Sequence, residues 1–99
     1  HMPGLTIVYW RDIPAQVMVG KGRRAARREL PQRFAEAIDR AAMKAGAHGT
    51  DDYLADWRRD GPVETAGDPE EIVAAAADRL DAEYTQDRLK SLIDNGGRA

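Results

Sequence analysis

Between residues 5 and 19 the apolar side chains fall on both parities. Leu5, Ile7 and Tyr9 alternate with Thr6, Val8 and Trp10, the pattern of a strand covered on both faces, which predicts a first strand over residues 4–11. Residues 12–15, Asp-Ile-Pro-Ala, read as a turn: Pro14 fixes its own φ, biases Ile13 toward extended geometry and offers no amide hydrogen to a ladder. A second strand follows over residues 16–19, and Gly20 and Gly22 end it. The rest of the chain reads as cover for this hairpin.

Residues 21–30 carry five cations and hardly an apolar side chain before Leu30, so they form either an exposed edge strand or a solvated connection. Leu30-Pro31 starts a helix, because proline suits the first helical turn and pushes the residue before it out of helical geometry. Phe34, Ile38, Ala41, Ala42 and Ala45 make its apolar stripe, and Gly46 sits where a C-terminal cap belongs. Residues 50–61 are read as a short helix capped by Thr50, with Asp51 and Asp52 in its first turn; the alternative is a strand hairpinned through Asp60-Gly61-Pro62. Val63-Glu64-Thr65 is a short strand on either reading. Asp68-Pro69-Glu70-Glu71 is a helix start with an Asp cap, Pro at the first position and Glu completing a capping box. An unbroken helix from there to Asp94 would be ~39 Å long against a radius of gyration of ~13 Å for such a chain, so a break is expected at Thr85-Gln86-Asp87.

Ninety-nine residues allow one domain, placed at residues 3–97, with His1 and Met2 read as a cloning remnant and start. The class is α+β: a small, mostly antiparallel sheet with two main helices on one face. No stretch reaches the ~20 apolar residues a bilayer span needs, no leader is evident, and the lack of cysteine fits a reducing cytoplasm. The net charge of −2 hides nine Lys/Arg against four Asp/Glu in residues 1–50 and six against thirteen in residues 51–99. Opposite halves attract within a molecule or between two. The small core, the long last helix and this asymmetry together predict a homodimer, joined through the free sheet face or through residues 89–93.

The usual catalytic constellations are missing. His48 sits alone in a loop, Ser91 has no local base, and Gly20-Lys21-Gly22 lacks the spacing of a phosphate loop, so no catalytic residue, metal or cofactor is assigned. The basic run Lys21, Arg23, Arg24, Arg27 and Arg28 could touch phosphates, but it has no aromatic residue for base stacking and the protein is acidic, which weighs against nucleic acid. The best site candidate is Tyr9, Trp10, Arg11, Asp12 and Gln16, where rings, a guanidinium, a carboxylate and an amide meet; there Arg11 could bind an anion and Trp10 form a wall. The competing reading makes Tyr9 and Trp10 core, and Arg11 and Asp12 a structural pair. The overall functional expectation is a non-catalytic interaction module acting as a homodimer or in a protein assembly, with an anionic-ligand protein or enzyme as the alternative.

The runs YWRDIPAQV, RRELPQRFAEAIDRAAM and DDYLADWRR resemble the bacterial virulence factor domain family and are similar to the domain that ends the longer conserved virulence factor C proteins. The resemblance implies a ferredoxin-like unit of the dimeric α+β barrel kind and a module acting in an assembly, and it brings no established catalytic residues. Its motif positions here are Tyr9, Trp10, Arg11, Asp12, Gln16, Arg33, Asp39 and Trp57.

Overall fold

The computed structural model describes residues 3–99. Four antiparallel strands form one sheet in the order β3-β2-β1-β4. β1 (Gly4–Trp10) and β2 (Ile13–Val19) are the central hairpin, β3 (Ala26–Glu29) lies outside β2, and β4 (Trp57–Glu64) lies outside β1. The helices are α1 (Gln32–Lys44), the one-turn α2 (Asp51–Ala55), α3 (Pro69–Glu83) and α4 (Gln86–Asp94). The expected α+β class is the class found. The element order β-β-β-α-α-β-α-α is not the β-α-β-β-α-β order of a ferredoxin-like unit, because short links join the first three strands into a meander and leave no room for a helix between them.

The central turn differs from its expected position. It consists of Arg11 and Asp12 alone, and Ile13 and Pro14 belong to β2, where both side chains are almost wholly buried. Val8 pairs with Gln16 and Tyr9 with Pro14, so Ala15 is an extra residue. This bulge lets a proline sit in a strand without breaking the ladder. Arg11 takes φ 53° to make so tight a turn, a conformation costly for any residue with a Cβ.

The basic run divides. Gly22–Arg24 is a single 3₁₀ turn and Ala26–Glu29 an exposed edge strand, so both readings of that segment hold in part. Residues 50–61 likewise divide: α2 ends at Ala55, and Trp57–Glu64 then forms one strand rather than a hairpin. Between Leu5 and Ile7 the register of β4 shifts, so Gly61 and Pro62 form a bulge. A Cβ on Gly61 would stand 2.5 Å from the Leu5 carbonyl oxygen, which is why glycine lets β4 lie so close to β1. Thr50 occupies the N-cap of α2, but its hydroxyl donates to the Ala47 carbonyl at 2.6 Å instead of capping the helix.

The longer helices end where their caps predict. The Asp68 carboxylate accepts from the Glu70 and Glu71 amides at 3.1 and 3.2 Å, and Thr85 Oγ1 accepts from Arg88 N to start α4. The expected long helix is therefore broken at Tyr84-Thr85. α1 and α4 both close in Schellman motifs, with Gly46 (φ 71°) and Gly96 (φ 67°) in the left-handed position. Ala47 N donates to Ala42 O and Gly97 N to Leu92 O, so each helix end has its orphan carbonyls satisfied.

α3 packs across β2 and β3, placing Val73, Ala76 and Leu80 over Val17 and Val19 in one core. α1 packs against β2 and α4, and its Phe34 ring meets Tyr84 edge to face at 6.1 Å. Leu89 and Leu92 are buried in that same core. They join α4 to its own chain, while Lys90 and Ser91 of the same helix are exposed.

Candidate functional site

The hairpin corner is held from three sides. Arg11 Nε donates to Asp56 Oδ2 at 2.9 Å, its Nη1 donates to the Gly96 carbonyl at 2.8 Å, and its guanidinium lies 4.7 Å from the centre of the Trp10 ring. The side chain is only 13% exposed. Arg58 Nε donates to the Arg11 carbonyl at 3.0 Å and its Nη2 to Asp12 Oδ1 at 3.3 Å, while Asp12 N donates to the Gly97 carbonyl at 2.8 Å. The buried Trp10 donates from Nε1 to the Tyr53 carbonyl at 2.9 Å. Arg11 and Asp12 therefore do not pair with each other: Arg11 takes Asp56 and Asp12 takes Arg58. Nε and Nη1 of Arg11 and the Asp12 carboxylate are thus engaged by internal partners that tie the turn to the ends of α4 and α2 and to β4.

Tyr9 lies beneath Arg58, whose guanidinium is 4.4 Å from the ring centre. Burial, followed by neighbouring Tyr84 and Asp60, raises its phenol above the ordinary value of 10.0, while the charge of Arg58 pulls the other way. Arg33 stacks on Phe34 at 4.5 Å and Arg88 on Tyr84 at 3.9 Å. Arg33 also donates to the Tyr84 carbonyl at 2.7 Å and to Asp81, so it clamps α1 to the end of α3.

A concave place lies elsewhere, beside Gln16. Where β3 stops at Glu29, α1 takes up the space along β2, and a cavity of about 340 Å³ opens between the sheet, α1 and the Tyr53-Trp57 corner. Val8 and Gln16 contribute from the sheet, Ile38 and Asp39 from α1, and Glu29 from β3. Tyr53 and Trp57 meet edge to face at 6.1 Å, and Trp57 is 36% exposed. Of the sequence candidates, Gln16, Trp57 and the motif residue Asp39 come together here, whereas Tyr9, Trp10, Arg11 and Asp12 do not. Glu29 and Tyr53 were missed; a carboxylate within a basic run and a tyrosine on a one-turn helix carry no local signal of a shared cavity.

The chain matches the family described as "Virulence factor" over residues 8–93, a span that takes in the corner, the cavity and nearly all of the helices. It belongs to the virulence factor family. No curated protein and no solved structure matched.

The remaining candidates of this family member are dispersed. Arg23, Arg24, Arg27 and Arg28 make no ion pair among the described residues, and Arg27 donates to the Gly22 carbonyl at 3.0 Å. The attraction between the chain's halves acts instead through Arg11–Asp56, Arg33–Asp81 and Lys44–Asp94. Among the described residues no three His, Cys, Asp or Glu side chains gather as a metal site. Among the described residues no helix is long and apolar enough to cross a membrane.

Proposed function

We propose that this virulence factor domain is a non-catalytic interaction module that works in the cytoplasm as a homodimer or within a protein assembly. The observation that carries the reading is the inward commitment of the polar groups at the hairpin corner, against the apolar side chains left outside: Leu54, on α2 just before β4, is 70% exposed and Val63, within β4, is 61% exposed. All eight residues of β4 are exposed, and an unpaired edge with apolar neighbours is a surface that other chains can use. The Gly61-Pro62 bulge restricts ladder pairing on that edge to its first half, so side-chain contacts from α2 and Trp57 dominate. An anionic ligand at the corner is disfavoured, because Arg11 is only 13% exposed and already pairs with Asp56 and the Gly96 carbonyl.

Sedimentation equilibrium at tens of micromolar protein tests the dimer, which must bury at least ~1,000 Å² to be stable. Leu54→Glu, on an exposed residue, is expected to weaken association without altering the fold. A monomer at both low and moderate salt, together with a metabolite that raises the melting temperature, would replace the module reading with a small-molecule one.

A further inference from the structure

Four of the six aromatic rings in the sequence carry an arginine of the same chain over the ring: Tyr9 with Arg58, Trp10 with Arg11, Phe34 with Arg33 and Tyr84 with Arg88. The two without one are Tyr53 and Trp57, and both line the cavity beside Gln16. Its charged lining groups are the carboxylates of Glu29 and Asp39, and among the described residues neither forms an ion pair. The Gln16 amide also has no hydrogen-bond partner there from another side chain. Two aromatic rings, two negative charges, an amide acceptor and the apolar side chain of Ile38 are the chemistry that receives a guanidinium on an apolar stem.

We propose that this cavity binds an arginine side chain presented by a protein partner, a proposal that rests on the interaction-module reading above. Arginine fits better than lysine. Its planar group stacks on a ring while donating sideways to carboxylates, whereas an ammonium is a compact and more strongly hydrated charge. Among the described residues no cation lines the cavity to compete for the place.

The test is titration of the isotope-labelled domain with acetyl-Gly-Gly-Arg-Gly-Gly-amide, followed by amide chemical shifts. Shifts are expected at Gln16, Ile38, Asp39, Tyr53 and Trp57, saturating in the millimolar range. The peptide with norleucine in place of arginine is expected to bind at least tenfold more weakly, and the lysine peptide several-fold more weakly. Glu29→Gln and Asp39→Asn, both at exposed positions that leave the fold intact, are each expected to weaken binding at least threefold and the double variant about tenfold. Raising the salt concentration should weaken the native domain more than the double variant. Equal binding of the norleucine peptide, shifts that map away from the cavity, or a double variant that binds as tightly as the native domain would overturn the proposal. Tighter binding of spermidine than of the arginine peptide would overturn the protein-partner assignment. Sedimentation of the native domain separates the two levels: if it associates but binds no arginine peptide, the module reading stands and the arginine site falls.

Discussion

Replacing Arg11 by alanine removes two hydrogen bonds and a ring contact from a side chain that is mostly buried. Breaking a fully buried ion pair costs about 3–5 kcal/mol. Asp56 is 29% exposed, so solvent screens part of the charge left behind and the pair lies below that range. The Gly96 carbonyl loses a charged donor, worth roughly 1.5–3 kcal/mol when nothing replaces it, though water reaches part of that site. The stack on Trp10 adds about 0.5–1 kcal/mol. These terms share atoms and do not sum, and about 3 kcal/mol is the expected loss. For a domain of this size that is a fall of roughly 12–24 °C in Tm. Arg11→Gly makes a sharper comparison. It loses the same contacts but relieves the left-handed backbone at φ 53°, so it should be about 1 kcal/mol more stable than Arg11→Ala. Urea denaturation followed by circular dichroism measures both, and a double-mutant cycle with Asp56→Ala isolates the pair, with an expected coupling of about 1–2 kcal/mol. A loss below about 1 kcal/mol for Arg11→Ala would refute the clamp and return the guanidinium to the list of free ligand groups.

Three other expectations follow from the same geometry. A Cβ on Gly97 would stand 2.7 Å from the Trp10 ring at φ 91°, whereas one on Gly46 meets nothing at φ 71°, so Gly97→Ala should cost about 3 kcal/mol and Gly46→Ala only about 1 in thermal or urea unfolding. The Tyr9 phenol is raised above its ordinary value by burial, so above about pH 10 the unfolded chain loses this proton before the folded one does. Stability from this group is complete below that pH and is lost as pH rises through the folded value; urea midpoints at pH 9 and 11 should fall less for Tyr9→Phe than for the native chain. Asp68→Ala removes the acceptor for two amides at the start of α3 and should cost about 1 kcal/mol, with Asp68→Asn close to neutral. An Asp68→Ala variant with an unchanged urea midpoint would count against that cap.

The features legible in the sequence are those that a few neighbouring residues decide. Asp68-Pro69 and Thr85 supply acceptors to the amides one turn on, and Gly46 and Gly96 allow the left-handed backbone that closes a helix, so the ends of α1, α3 and α4 and the break at Thr85 needed no distant partner. The both-parity apolar run of β1 and the apolar stripes of α1 and α3 likewise fixed the α+β class, because burial follows periodicity. Tertiary structure decided what local chemistry left balanced. Pro14 reads as a turn until a bulge at Ala15 and burial under the helices place it in β2, and Trp57 joins a strand because β1 offers it a ladder. Arg11 has a carboxylate next to it in sequence, but its partner is Asp56, 45 residues away, chosen when α2 and β4 dock against the hairpin tip. The cavity has the same origin: Gln16, Glu29, Asp39, Tyr53 and Trp57 come from five separate elements, and only the stop of β3 beside α1 brings them to one hollow.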